Sequence, residues 1–358
     1  MTSPLQSHGA PGPWAPIAPT ADETTKRTMP QPAVSVVIPA KDAEAYIAET
    51  LESLTTQGLP AADVEVLVID DGSTDATAAI AESFTQRLPR LRVLRNPGPH
   101  GPSAARNVGI AAAGGRTITF LDADDWFGPG HLGAMVETLE RLDVDFVRSD
   151  VVHVEGKRRV LHSAPVSRRG VRLRTRDFIM YGTERTMVDF PNPFCGVYAA
   201  RMRDTGLLEF ATQFITAEDR YWNWRIFLAD LTFAVVDSQG SFYRRAVAGS
   251  LTAVYDERQL GFVHVFDTLL REIEDDPEHR AYLPKAAHNL LALYHWHWKR
   301  KDDIPPALFR TMTDAVVTSA ARTDPAVVEA VWESFDDARR KDLHRVHRRI
   351  SAERTAAK

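Results

Sequence analysis

Asp122, Asp124 and Asp125 place three carboxylates within four positions, in the run Phe120-Leu121-Asp122-Ala123-Asp124-Asp125-Trp126. They follow directly on an apolar, β-prone stretch at residues 117–121. Like charges packed where a buried strand ends are costly unless a cation neutralises them. Hard oxygen ligands on a short loop suit Mg2+ or Mn2+, which bind through one or two carboxylates plus substrate phosphates. Taken alone, Asp-x-Asp is a common feature of solvated acidic loops, and its position after a strand is what gives it weight. A second cluster, Asp70-Asp71-Gly72-Ser73-Thr74-Asp75, combines carboxylates that can accept hydrogen bonds from a base or ribose with a glycine that permits close backbone approach. In isolation it reads as a strand-to-helix turn capped by Ser73.

These clusters need a scaffold that brings them together. Between residues 34 and 150, apolar β-branched runs alternate with amphipathic stretches, the pattern of a parallel α/β sheet. Strands are predicted at 34–38, 64–69, 91–94, 117–121 and 144–147. Helices are predicted at 43–57, from about 74 to 87, at 103–113 and at 131–142, with Gly58 and Gly114-Gly115 as stops. Both acidic clusters, and the Pro39-Ala40-Lys41-Asp42 segment, then fall at carboxyl ends of parallel strands, the edge where open α/β sheets bind ligands. Three such ends converging on one edge favour a ligand site over three unrelated turns. Beyond Asp150 the regularity weakens. A hairpin over 151–154 and 159–162 turns at Gly156-Lys157, residues 190–194 form a rigid turn, and 196–200 a short strand. An aromatic-rich helix is predicted at 219–229, strands near 232–236 and 241–245, and helical segments from 255 onward.

The ordered set of motifs resembles family 2 of the glycosyltransferases, nucleotide-diphospho-sugar transferases of the GT-A fold. The matching residues are Ser35-Val36-Val37-Ile38-Pro39, Val68-Ile69-Asp70-Asp71-Gly72-Ser73-Thr74-Asp75, Ala105-Arg106-Asn107-Val108-Gly109-Ile110, Ala113-Gly114-Gly115 and Phe120-Leu121-Asp122-Ala123-Asp124-Asp125. The resemblance covers residues 33–150 and continues more weakly to 252. It implies an α/β catalytic domain over 33–252 with a Rossmann-like, mostly parallel mixed sheet, while residues 1–32, rich in proline and polar side chains, read as a disordered leader and 253–358 as a helical extension. It further implies that Pro39 and the residues after it, Asp42 among them, wall the nucleotide pocket, that Asp71 bonds a uracil-type base with Asp70 behind it, and that Arg106 holds base or phosphates. Asp122 would face the ribose, and Asp124, with Asp122, would ligate the metal. Asp125 would support them. Thr216-Ala217-Glu218-Asp219 matches the family's Glu-Asp pair, with Asp219 as general base and Glu218 beside it. The helix N-terminus should keep Asp219 ionised at neutral pH. Without the upstream motifs, both residues read as ordinary first-turn acids.

Tyr243-Arg244-Arg245 and Ser250-Leu251-Thr252 stand where the family carries groups near the diphosphate. Neighbours on a strand point to opposite faces, so one of Arg244 and Arg245 reaches the phosphates. Trp222 and Trp224 offer a sugar-stacking platform, although their spacing sends one of them to the core. Lys41-Asp42 replaces the family's aromatic-Asn pair, so base stacking is not carried over. The processive Gln-x-x-Arg-Trp motif is absent. The implied reaction is inverting, non-processive, metal-dependent transfer from a UDP-sugar to a hydroxyl of a carbohydrate or lipid-linked acceptor, as in cell-envelope polysaccharide or glycoconjugate assembly. The rivals are a haloacid-dehalogenase-type phosphatase, whose scheme has no place for Asp70-Asp71-Gly72-Ser73, a sugar-phosphate nucleotidyltransferase, whose basic glycine-rich loop is missing, and a catalytically silent nucleotide-sugar-binding scaffold, against which Asp124 and Asp219 weigh.

Composition narrows the partners. A net charge of −5 excludes a broadly nucleic-acid-binding surface, and a lone cysteine, Cys195, excludes an intrachain disulfide framework and fits a reducing compartment. No stretch reaches the roughly 18 consecutive apolar residues of a membrane span. A cytoplasmic location follows as the expectation. Residues 339–358 hold eight Lys/Arg against two Asp/Glu. They could touch anionic lipid at the inner face of the membrane, but a solvated helix end explains them more simply. The helical extension could also mediate homo-oligomerisation. The Tyr294-His295-Trp296-His297-Trp298 cluster is spread around a helix and reads as packing rather than a metal box.

Overall fold

The computed structural model describes residues 30–96, 100–179, 184–245 and 256–356. Residues 1–29 of the expected leader, residues 97–99 of the glycine-rich loop, Ser250-Leu251-Thr252 and the expected boundary after residue 252 lie outside the described residues.

Alternating burial builds the main sheet. Strand β1 (Val34–Ala40) sends Val34, Val36 and Ile38 to one face and Val37 to the other. Strand β2 (Val64–Asp70) divides Val64, Val66 and Val68 from Leu67 and Ile69 in the same way. Strands buried on both faces need helices on both faces. The sheet order is β3 (Leu91–Arg95), β2, β1, β4 (Thr117–Phe120), β10 (Gly196–Ala199), β6 (Phe146–Arg148), β11 (Thr232–Val235), β9 (Leu173–Arg174). Strands β1 to β4, β6 and β11 share one direction, and β10 runs against them between β4 and β6. A smaller sheet orders β5 (Trp126–Phe127), β12 (Ser241–Arg244), β7 (Val151–Glu155) and β8 (Arg158–His162). The expected hairpin is β7–β8, turning at Gly156 with φ 56°.

Helices α1 (Ile47–Leu54), α2 (Thr77–Ser83) and α4 (His131–Leu142) bury their apolar residues with the first face. Helices α3 (Pro102–Ala112) and α6 (Glu218–Leu228) do so with the second, and α5 (Arg201–Asp204) is a short turn after β10. Close packing of α3 explains its glycine: a Cβ at Gly109 would lie 2.3 Å from Val37 Cγ1 of β1. Helix α1 starts four residues later than the expected 43. The backbone N–H groups of Asp42, Ala43 and Glu44 donate instead to Ser73 Oγ, Thr77 Oγ1 and Asp75 Oδ2, which ties the β1 loop to the β2 loop.

The C-terminal region consists of α7 (Gly261–Asp275), α8 (Leu283–Trp298), α9 (Pro306–Arg322), α10 (Pro325–Ser334) and α11 (Asp337–Ala356). Phe266, Leu290, Val317 and Leu343 from these helices join one buried cluster with Phe227 of α6 and Phe233 of β11. Trp222 and Trp224 are both fully buried there, so neither is a sugar platform: Trp222 packs on Phe120 of β4, Tyr198 of β10 and Phe210, and its Nε1 donates to the Leu208 carbonyl. Of the Tyr294–Trp298 run, Tyr294, His295 and His297 are buried and Trp296 is half exposed beneath Arg300. The basic end is largely engaged within the chain. Arg349 pairs with Asp314 at 2.7 Å, Arg354 donates to the carbonyls of Ala320, Ala321 and Thr323, and Arg340 pairs with Asp337 and Glu333.

Candidate functional site

The carboxyl ends of β1, β2 and β4 form the edge where the motifs meet. Pro39 lies in β1 opposite Ile69 of β2. Asp42, left-handed at φ 47°, accepts from Thr74 N at 2.8 Å and Thr74 Oγ1 at 3.1 Å, so it braces two loops. Asp70 accepts from Ser73 N at 2.9 Å and shapes the turn. Asp71 is buried and takes three donors: Asn96 Nδ2 at 2.8 Å, His100 N at 3.1 Å and Gly101 N at 2.8 Å. Among the described residues, three of the about four acceptor positions of this carboxylate are thus taken. Lys41, which stands where the family has an aromatic residue, is exposed.

The loop after β4 is held from both sides. Thr50 Oγ1 of α1 donates to the carbonyls of Ala123 and Asp125, each at 2.8 Å. Asp125 is almost fully buried, and its Oδ1 accepts from Arg244 N at 2.7 Å. Burial, and then the charges of Asp122 and Asp124, push the Asp125 carboxyl well above its ordinary range. The same two causes, burial and the Asp122 charge, push Asp124 up to about 6. Arg244 donates its Nε to the Asp124 carbonyl at 2.9 Å and pairs with Glu49 at 2.6 Å, with its guanidinium between the rings of Tyr46 and Trp126. Arg245 leaves β12 on the other face, over Tyr243. Glu49, Tyr46 and Trp126 carry no linear signal for this role, since almost 200 residues separate Glu49 from Arg244.

Arg106 joins the two halves of the site. From α3 it pairs with Asp122 at 2.8 Å and Glu218 at 3.1 Å, and its guanidinium lies 5.1 Å from the Phe210 ring. Neighbouring Asn107 fixes the Phe210 backbone through both polar atoms, donating to its carbonyl and accepting from its N–H, each at 2.8 Å. A solvated tip for Arg106 is thereby excluded, since its side chain is only 9% exposed. Glu218 and Asp219 open α6 after Ala217, a non-glycine residue at φ 60°, whose left-handed turn aims the first turn of the helix at the edge. The Thr216 hydroxyl donates to the Arg258 carbonyl and ties this turn to the start of the helical region.

The electrostatics of the pair differ from the expectation of simple ionisation at a helix N-terminus. Burial, then the Asp219 charge, pushes Glu218 up to about 7, and Arg106 offsets only part of that. Burial also raises Asp219, against the pull of Arg220 and Arg106. Desolvation outweighs the helix terminus because the partial charge there is worth at most about 2 kcal/mol, while burying a carboxylate costs more.

The donor set fits a hard divalent cation. Asp122 and Asp124 supply carboxylate oxygens on one short loop, and the repulsion that raises Asp124 is what a cation would relieve. Among the described residues no group of three His, Cys, Asp or Glu side chains is assembled to hold a metal. An ion bound here would therefore draw its other ligands from phosphate and water, as Mg2+ commonly does.

The sheet order and the acidic edge define a GT-A fold. Residues 35–209 match the profile of glycosyl transferase family 2, and this part of the chain is a domain of that family. The succinoglycan biosynthesis protein ExoU of Rhizobium meliloti is 38% identical over 122 residues, which cover 34% of each chain. The matched segments span about a third of the length of the curated relatives. Among solved structures, S. aureus TarS 1–349 with UDP-GlcNAc superposes with a TM-score of 0.69 at 23% identity, covering 90% of this chain and 89% of that one. The mannosyltransferase PcManGT of Pyrobaculum calidifontis, with GDP-Man and Mn2+, gives 0.52 at 16% identity, covering 92% and 88%. These two likenesses speak for the fold. The family match sets aside the phosphatase alternative.

Proposed function

We propose that the chain transfers a sugar, with inversion, from a nucleotide-diphospho-sugar, in the first instance a UDP-sugar, to an acceptor hydroxyl. The observation that carries this reading is the Arg106 bridge, which brings the Asp122–Asp124 loop and the Glu218-Asp219 turn to one edge. Pro39, Asp70 and Asp71 line the base and ribose side, with Asp122 toward the ribose. Arg244, folded against the carboxylate loop, braces the diphosphate side. Mg2+ or Mn2+ held by Asp124 and Asp122 would neutralise charge growing on the departing β-phosphate. Asp219 takes the proton of the acceptor hydroxyl as its oxygen attacks the anomeric carbon and the bond to the β-phosphate oxygen breaks. Burial raises the Asp219 carboxyl, which makes its ionised form a stronger base than an exposed aspartate. Glu218 holds Arg106 in register and orients the base.

The names and bound ligands of the relatives support a nucleotide-sugar donor, a divalent ion and a polysaccharide or glycoconjugate context. Among the described residues no helix is long and apolar enough to cross a membrane. We place the enzyme in the cytoplasm, with any contact at the inner membrane face peripheral. The catalytic unit would span residues 33–252 and the helical region 253–358.

Calorimetry with a panel of nucleotide sugars tests the reading. UDP-sugars should bind only with Mg2+ or Mn2+ and be hydrolysed slowly. Asp124→Ala should abolish the metal response and cost about 10²–10³-fold in turnover. If no nucleoside diphosphate or nucleotide sugar binds under any metal condition, the reading fails.

A further inference from the structure

Arg244 leaves the smaller sheet into a slot built by two other elements. Phe242 of β12 and Trp126 of β5 are register partners, their rings 5.3 Å apart with planes at 1°. Arg244, two residues beyond Phe242, falls on the same side of the strand. Its guanidinium lies 4.8 Å from the Trp126 ring and 5.1 Å from the Tyr46 ring. Tyr46 stands at the start of α1, and Glu49 follows it by three residues, the spacing of neighbours on a helix face. Glu49 Oε2 accepts from Arg244 Nη2 at 2.6 Å.

Both walls of the slot are fixed to the carboxylate loop. From α1, the Thr50 hydroxyl holds the carbonyls of Ala123 and Asp125. From β12, Arg244 N donates to Asp125 Oδ1 at 2.7 Å and Arg244 Nε to the Asp124 carbonyl at 2.9 Å.

A first-turn acid paired with a nearby arginine is an ordinary surface feature. Here the two partners are held very differently. The guanidinium is pinned at Nε and flanked by aromatic rings, which suit a planar, weakly hydrated cation. Its side chain is 24% exposed. The Glu49 side chain is 58% exposed, and among the described residues its carboxylate has no second partner. Releasing that carboxylate costs little, because water takes its place. Releasing the guanidinium would break the Nε bond and both ring contacts. The pair is therefore built to open on the Glu49 side. Among the described residues the Asp124 carbonyl and Glu49 take two of the five guanidinium N–H groups.

We propose that Glu49 stands in for the diphosphate at Arg244: it yields the guanidinium when the nucleotide binds and reclaims it when the nucleotide leaves, while Tyr46 and Trp126 keep the guanidinium in place. The inference rests on the nucleotide-sugar reading above, which puts the diphosphate beside Asp124, and it adds three residues that position Arg244. A metal-bound diphosphate brings more charge and more oxygens than one carboxylate, so it wins the exchange. Glu49 then competes against the product nucleoside diphosphate and weakens its retention, which matters where product release limits turnover. A nucleoside monophosphate has no β-phosphate to offer and leaves the Arg244–Glu49 pair closed.

Calorimetry on the full chain in Mg2+, with UDP and UMP as probes, tests the exchange. Glu49→Gln should tighten UDP and raise the preference for UDP over UMP by about two- to fivefold, the scale of an exposed ion pair. In an Arg244→Gln background the same substitution should leave that preference unchanged, since the competition has lost its object. Trp126→Leu and Tyr46→Leu should each weaken UDP by about threefold and spare UMP, and Trp126→Phe should recover most of the loss. Weaker or unaltered UDP binding in Glu49→Gln overturns the exchange. An equal gain in the Arg244→Gln background would reduce it to a general charge effect and also overturn it. Parallel loss of UDP and UMP in Trp126→Leu and Tyr46→Leu would make the rings part of the fold alone and overturn their positioning role. Failure of the wild type to bind UDP would break the transferase reading itself, whereas a wild type that binds UDP with a flat Glu49–Arg244 cycle would break only this inference.

Discussion

The two sides of β4 are built on different principles. On the nucleotide side, β1, β2 and β3 run parallel, and the β1 and β2 loops are cross-braced by hydrogen bonds that Ser73, Asp75 and Thr77 accept and Thr74 donates. Polar groups there are mostly already partnered, Asp71 with three donors. On the other side, β10 runs antiparallel, a second sheet begins, and burial raises the carboxyls of Glu218 and Asp219. A pocket that receives the same nucleotide each time can be rigid and pre-satisfied. The region that must activate and discriminate an acceptor keeps groups whose ionisation and bonding are incomplete until substrate arrives. Arg106, touching Asp122 on one side and Glu218 on the other, is the residue through which the two principles meet.

The largest test of this division is Asp219→Asn. If Asp219 belongs to the acceptor side alone, transfer should fall by about 10²–10⁴-fold, the scale of a lost general base. Affinity for UDP-sugar and Mg2+, read by calorimetry, should stay within about twofold, well under 1 kcal/mol. Equal loss of binding and transfer would mean that the carboxylate serves the donor, and the division would collapse at its most important point.

The nucleotide side was the legible side. Its strands came through as apolar runs because parallel strands covered on both faces must be apolar throughout, and the motifs of the family resemblance named Asp70, Asp71, Asp122 and Arg106, which the fold gathers at strand ends and, for Arg106, pairs with Asp122. Beyond β4 the reading held element by element but not in arrangement. The strand at 196–200 was expected, yet nothing local places it antiparallel between β4 and β6, because that pairing joins residues some 50 to 80 positions apart. The partners of Arg244, the burial of both tryptophans and the upward shift of Glu218 are likewise set by tertiary packing. Gly109 shows the contrast at one atom. The motif singled it out, and the structure gives the reason, a Cβ 2.3 Å from Val37. Gly109→Ala should force α3 off β1 and cost about 1–3 kcal/mol in denaturant unfolding, as overpacking does. Helix α3 also carries Arg106, so transfer per folded molecule should fall together with stability. A stable Gly109→Ala protein with full transfer would mean that the helix takes up the added methyl without moving.

The smallest effect probes the junction itself. Glu218 and Asp219 are close enough to titrate as a pair, so the acidic limb of turnover against pH carries an apparent value belonging to both, near the value of about 7 to which Glu218 is pushed. Burial raises both groups, and the Asp219 charge further raises Glu218, a repulsion that by reciprocity also acts on Asp219. Glu218→Gln removes a negative neighbour, so Asp219 should ionise more readily and the limb should move to lower pH, by about half a unit to one unit. The freed guanidinium of Arg106 acts in the same direction, since it already pulls Asp219 downward. An upward movement would show that Glu218 stabilises the charged base through Arg106 more than it repels it. An unmoved limb would assign the ionisation to a group away from this junction, and Arg106 would then join the two sides structurally but not electrostatically.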